Sequence, residues 1–302
     1  MKHRQENADG QLPPASSLSV SGKSRSRALQ RKAMDRLATV LSWCATFLVV
    51  FVLGSILWTL LKNGLPGLTA ALFTRSMGAP GQGGGLANAI VGSILQTGLA
   101  ILLGAPAGLM TGIYLAEYGS HSRLARAVRF VSDMLLSAPS ILIGLFIYMA
   151  LVAPLGHFSG FAGSVALAIL AMPIMVRTTE DMLRLVPLSM REAGIALGAP
   201  KWRVILFICV RAARGGIITG VLLAIARVAG ETAPLLFTSL GNSEWSLDMR
   251  RPMASLPVAI YQYAGSAYQD WMQQAWTGAL LVTLGVLIIN IVVRIGIRGG
   301  RT

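Results

Sequence analysis

At 302 residues the chain would fill two soluble domains by length, but 54% of it is hydrophobic and only 13% charged, against about 25% charged in ordinary soluble proteins. That balance excludes an ordinary soluble domain, a disulfide scaffold and a disordered chain. The formal net charge of +14 suggests a nucleic-acid partner only until the charges are placed along the sequence.

Residues 1–37 are polar and basic, with serines scattered among Lys and Arg, and are expected to form a disordered cytoplasmic tail. Ser21-Gly22-Lys23-Ser24 looks like the end of a phosphate-binding loop. The earlier glycine of that motif falls on Ser17 and no strand precedes it, so no nucleotide is expected there. Ala38–Leu61 is an uncharged run of 24 residues, enough to cross a bilayer. It is too long for a signal-peptide core and lacks a small-residue cleavage site.

Leu86–Ala116 gives a second run of 31 residues, with Gly104 and Pro106 as points where it could bend. Met134–Val152 and about Leu155–Val176 follow, separated by the Gly156–Gly160 stretch. Gly215–Leu240 is a fifth span, interrupted by two charges, and Trp271–Val293 a sixth. The expected fold is an all-α membrane protein with six transmembrane helices.

The basic residues orient it. Twenty-one Lys and Arg fall in the two tails and the even-numbered connections, four (Lys62, Arg75, Arg250, Arg251) fall on the opposite side, and Arg227 lies within a span. The positive-inside rule puts both termini in the cytoplasm. The basic balance therefore reports topology in a lipid bilayer and no nucleic-acid partner.

Chemistry is sparse. Cys44 and Cys209 sit in or beside apolar stretches without metal-ligand spacing, and read as apolar thiols. The three histidines are His3, in the tail, and His121 and His157, in connections. No span carries a His-Glu-x-x-His helix or two aspartates, so an intramembrane hydrolase lacks its acid, base or metal ligands. No catalytic residue, metal or cofactor is expected.

Two features remain. The connection 177–214 is expected to hold short helices at about Thr179–Arg184 and Pro187–Leu197, a stop at Gly198 and a new helix from Pro200. Ile195, Leu197, Trp202 and Ile205 leave an apolar surface outside the membrane. Spacing alone fits equally a connector lying on the headgroups, anchored by Trp202, and a docking surface for a partner.

The second feature is Arg227 with Glu231. Counted from an entry at Gly215, Arg227 lies roughly 18 Å deep, where a charge costs at least about 2.5–3.5 kcal/mol and normally faces a partner or a water-filled path. Pro234 cannot donate to the carbonyl of Gly230, so the helix is expected to break across Glu231-Thr232-Ala233, and broken helices at membrane depth mark cavities. A purely structural ion pair fits the same residues.

Glu192-Ala193-Gly194, followed after three residues by Gly198, resembles the EAA loop of ABC-importer permeases, which forms coupling helices seated on the ATP-hydrolysing subunit. The run from Gly220 to Thr238, containing Arg227-Val-Ala-Gly-Glu231-Thr232-Ala-Pro234, resembles more specifically the phosphate permeases of that family. So do Pro139-Ser140-Ile141 with Gly144-Leu145-Phe146, the stretch from Met172 to Glu180, and Met253–Ala264. The EAA pattern continues with Ile-x-Leu-Pro, and this chain has Ile208 but Val210-Arg211 in the last two places.

The resemblance implies a type I ABC importer permease fold over residues 86–294, with 177–214 as its cytoplasmic coupling loop. Glu192, Ala193, Gly194, Gly198, Lys201 and Trp202 would meet the ATPase, and Arg227, Glu231 and Thr232 would line the path. It implies a second, unlike permease subunit, an ATP-binding subunit dimer, an extracytoplasmic phosphate-binding protein, and a place in the bacterial inner membrane. An arginine suits a phosphate path because its fork matches the oxyanion; Glu231 would hold it and keep the site too weak to trap the anion. A permease for another oxyanion, molybdate or sulfate-like, is the alternative.

Overall fold

A computed structural model describes residues 22–119 and 122–299. His3, His121 and the tail through Ser21 lie outside the described residues. Among the described residues every regular element is a helix. Five helices are long and apolar enough to cross a membrane, or six if one bent pair is a single span.

The chain divides at Trp58 into two compact units. Helix α1 (Gly22–Gly64) runs through the described part of the first and on to Gly64, and it begins well before the expected end of the tail, which corrects the disordered reading for residues 22–37. That stretch is rich in Arg, Lys, Ala, Leu, Gln and Met, all strong helix formers, and extending an existing helix needs no new nucleus. Residues 31–58 are exposed along their whole length.

In the second unit, a short helix α2 (Ala70–Thr74) precedes α3 (Ala87–Glu117). The long helix α6 (Gly160–Arg184) packs along α3 and is the most buried of the candidate spans. Glycines recur every four residues on α3, and their faces meet α6 closely. A Cβ on Gly104 would stand 3.1 Å from the Ala168 carbonyl, on Gly108 2.8 Å from the Met175 Cβ, and on Gly112 2.6 Å from the Thr179 Cβ. Without side chains there the two backbones approach, the packing that replaces a hydrophobic driving force between helices in lipid.

Between them lie α4 (Arg123–Ser137) and α5 (Ser140–Leu155), bent 106° at Ala138-Pro139. Met134–Val152 was expected as one continuous span, and the bend corrects it. Pro139 supplies no N–H and pushes Ala138 out of the helical region, to φ −68°, ψ 137°. A π-helical stretch, Tyr148–Val152, interrupts α5.

After α6, helix α7 (Leu188–Ala196) is separate, as expected. The helix expected at Thr179–Arg184 is not separate, since α6 runs through it. Helix α8 (Lys201–Ala229) starts directly after Pro200 and includes a π-helical stretch at Val204–Cys209. Val210-Arg211 lets it pass unbroken; a proline at 211 would remove one backbone donor and crowd the preceding turn. A short helix α9 (Ala233–Thr238), then α10 (Leu256–Ala264) and α11 (Gln269–Gly299) complete the unit.

Orientation follows from the charge split and has a direct test. Reporter fusions after Gly64 and Ser243 should score outside, and fusions after Arg123 and Ser189 cytoplasmic. An outside signal at Ser189 would remove α7 from any cytoplasmic docking role.

Candidate functional site

The site is built where α8 stops. Ala229 is its last helical residue, Gly230 caps it at φ −102°, ψ 4°, and α9 restarts at Ala233 with Pro234 in its first turn. Pro234 is tolerated there because first-turn N–H groups lack intrahelical partners anyway. The break thus falls at Gly230–Thr232, one residue before its expected place. Gly144 of α5 holds it: a Cβ there would stand 2.6 Å from the Cα of Pro234. Val228 and Leu235 on either side of the break are buried with Ile143, Leu167 and Ala224 in one apolar cluster.

Arg227, in the last turn before the break, and Glu231, within it, form an ion pair through Nη1 and Oε1. Their environments differ sharply. The Glu231 side chain is 7% exposed and that of Arg227 53%, so the carboxylate is embedded while the guanidinium opens onto free space. The arginine also lies in the last turn of α8, where a cation complements the helix dipole. Thr232 caps α9 without a side-chain cap bond; its carbonyl accepts from the N–H of Leu236 at 3.2 Å. The three residues expected to work together are therefore adjacent. Because α8 starts at Lys201, fourteen residues before the assumed entry at Gly215, the position of Arg227 is set by the end of the helix.

Backbone groups on the far side of the break are fixed by polar side chains of α3 and by Ser239, which caps α9. Gln96 donates to the Ala254 carbonyl at 3.1 Å, Ser239 to that of Met253 at 2.8 Å, and Ser93 accepts from the N–H of Leu256 at 2.7 Å. Asn88 donates to the carbonyls of Asn242 and Ser243, both at 3.0 Å. This secures Met253–Ala264 as one wall of a cavity of about 790 Å³ with a mixed lining, Gln82, Asn242, Glu244 and Gln262 beside Met77, Val258 and Trp271.

At the opposite end, the α7 residues divide. Glu192, Ala193, Gly198 and Trp202 are exposed, as a docking surface requires. Gly194 is buried: a Cβ there would stand 2.7 Å from Ile208 Cδ1 and 3.0 Å from Val204 Cγ2. Gly198 takes φ +80° with nothing near its absent side chain, so the turn needs glycine for conformation alone. Lys201 is committed within the chain, donating to the Glu117 carbonyl at 2.9 Å and lying 4.4 Å from the Tyr118 ring centroid.

Two buried carboxylates escaped the sequence reading. Glu180 is 3% exposed and takes Arg129 Nε at 2.8 Å and Arg184 Nη2 at 2.5 Å. Glu117 takes Arg191 at 2.8 Å, and that bond is the main cause holding the Arg191 pKa above its ordinary value. Arg184 stands four residues after Glu180 on one helix, a readable spacing. Arg129 lies 51 positions from Glu180 and Arg191 74 from Glu117, and no local pattern joins them.

Known proteins resemble the chain over most of its length. Residues 104–298 match the family described as binding-protein-dependent transport system inner membrane component. A relative from Pasteurella multocida, named phosphate transport system permease protein PstA, is 54% identical over 88% of this chain and 95% of its own length. One from Mycobacterium tuberculosis, named phosphate transport system permease protein PstA 1, is 38% identical over 87% of this chain and 88% of its own. Among solved structures, the MetNI methionine ABC transporter in an inward-facing conformation aligns with TM-score 0.60 at 19% identity, covering 71% of this chain and 95% of that one. An amino acid ABC transporter aligns with TM-score 0.53 at 15% identity; both show likeness of fold.

Proposed function

The chain belongs to the binding-protein-dependent transport system inner membrane components and, within them, to the PstA phosphate permeases, and on that premise we propose that Arg227, Glu231 and Thr232 line the path by which it passes phosphate. It is a multi-pass membrane subunit of an ABC importer, a transport component and not an enzyme. The observation that carries the path assignment is the half-exposed Arg227 paired to a buried Glu231 at a helix break inside the apolar core. A guanidinium with free donors matches a phosphate oxyanion, and the carboxylate behind it limits how tightly the anion is held.

The same reading gives the partners: a second permease subunit completing the path, an ATP-binding subunit dimer seated on α7, and an extracytoplasmic phosphate-binding protein, assembled in the bacterial inner membrane. The exposed face of Glu192, Ala193 and Trp202 around the Gly198 turn supports the seat for the ATP-binding subunit. The body 86–294 would act as the permease domain, with 177–214 as its coupling loop.

The test is ATP-dependent phosphate uptake by the purified complex in vesicles, with molybdate and sulfate as competitors. Uptake of phosphate that a large excess of either leaves unchanged supports the assignment; preferential transport of a competitor transfers it to the other oxyanion. Gly198→Val tests the coupling seat. A β-branched residue strongly disfavours φ +80°, so uptake and stimulated ATP hydrolysis should fall together while the spans still insert. Wild-type coupling in that variant would show that the Gly198 turn is not the contact.

A further inference from the structure

One guanidinium gathers the ends of three helices. Arg191 of α7 donates through Nη2 to Glu117 Oε1 at 2.8 Å and to the Leu183 carbonyl at 2.7 Å, and through Nη1 to the Val186 carbonyl at 2.6 Å. Its Nε reaches the same carboxylate at 3.3 Å. Glu117 ends α3, and Leu183 lies in the last turn of α6. Both side chains are enclosed, at 18% and 7% exposure. The backbone carbonyl of Glu117 also receives Lys201, at the start of α8.

The apolar packing of α7 leads elsewhere. Gly194 is its buried residue, and it seats on Val204 and Ile208 of α8. Leu188, Ile195 and Leu197 are exposed. Packing therefore ties α7 to α8, whose Val204 and Cys209 cluster with Leu183 and Val186 and with Leu109 and Ile113 of α3, whereas the direct hydrogen-bonded tie from α7 to α3 runs through Arg191.

We propose that Arg191 is a positioning residue for transport, making α3 and α6 follow α7 when the ATP-binding subunits move it. The inference rests on the reading of α7 as the coupling element. A push on α7 carried only by Gly194 would reach α3 indirectly, through α8 and the apolar cluster that α8 shares with α3 and α6. Carried by Arg191 as well, it moves all of them as one body, the condition for a small displacement at one end to reorganise a site at the other. The planar fork suits this role because its fixed donors serve a carboxylate and two carbonyls at once, which an ammonium point charge does not.

The experiment measures phosphate imported per ATP hydrolysed by the whole complex in vesicles. It compares wild type with Arg191→Lys, Arg191→Gln, Glu117→Gln and the double Glu117→Gln/Arg191→Gln. ATP hydrolysis should continue in Arg191→Gln while phosphate per ATP falls at least about fivefold. Arg191→Lys should fall between it and wild type, and the double variant should be no worse than Arg191→Gln, which already lacks the contact with Glu117. A wild-type ratio in Arg191→Gln, or uptake lost only in step with assembled complex, overturns the proposal. Should Arg191→Gln not assemble, Glu117→Gln decides in the same terms, because it keeps both carbonyl bonds. Failure of the wild-type complex to import phosphate with ATP would instead overturn the functional reading, so the two failures are distinct.

Discussion

Arg227→Gln should lower phosphate uptake per assembled complex by roughly tenfold to a hundredfold, the loss of one charge-assisted bond to the anion at about 1.5–3 kcal/mol. Glutamine keeps a hydrogen-bonding side chain and removes the positive charge. Glu231, 7% exposed, then loses its counterion. Truncating a fully buried pair costs about 3–5 kcal/mol. Because Arg227 is half exposed, water can take its place, and the stability loss should be nearer about 1–2 kcal/mol. The complex should therefore form and transport poorly. Glu231→Gln and the double variant complete the set, with uptake normalised to assembled complex in each. Normal uptake per complex in Arg227→Gln rejects the pathway role. Uptake that merely follows lost assembly, and returns in the double variant, assigns the pair to structure.

Glu180→Ala should cost more in stability than in any specific step. The carboxylate is 3% exposed and neutralises Arg129, itself 22% exposed and hydrogen-bonded to the Leu115 carbonyl, as well as Arg184. Removing it strands Arg129 between α3, α4 and α6, at about 3 kcal/mol, since Arg184 at 55% exposure can turn to water. Thermal unfolding of the solubilised complex, followed by size-exclusion chromatography, should shift downward. Glu180→Gln, which preserves shape and one acceptor, should shift it less. Both variants melting with wild type would show that the triad contributes nothing to stability.

How much of this could be read from residues alone depends on the range of the interaction. Spans were legible because bilayer thickness demands about twenty apolar residues wherever they occur. The interruption after Ala229 was legible because Pro234 lacks a donor, a property of one residue. The bend at Pro139 rests on the same chemistry, but it was masked by an apolar run that continued on both sides. The glycines at 104, 108 and 112 were also readable as a close-packing stripe on one helical face, although their partner helix was not. Only the Glu180–Arg184 pair, four residues apart on one helix, was within reach; Arg129 for Glu180 and Arg191 for Glu117 come from other helices, and only tertiary packing brings them together. The start of α1 was misjudged because polarity was equated with disorder, whereas Arg, Lys and Gln are good helix formers once a helix is present.

The bend at Ala138-Pro139 also bears on the lipid around this protein. Turned 106° from α4, Ser140–Leu155 has 16 residues, about 24 Å of helix at 1.5 Å per residue, against a hydrocarbon layer of about 30 Å. The shortfall of about 6 Å cannot be recovered by tilting, which only shortens the projected length. If α5 crosses the layer without the last turns of α4, hydrocarbon beside it must thin locally or give way to another polypeptide, and each response carries a mismatch energy that grows with acyl chain length. Membrane thickness thus becomes a variable of the transporter's assembly, and shorter-chain lipids are the ones that should gather along α5.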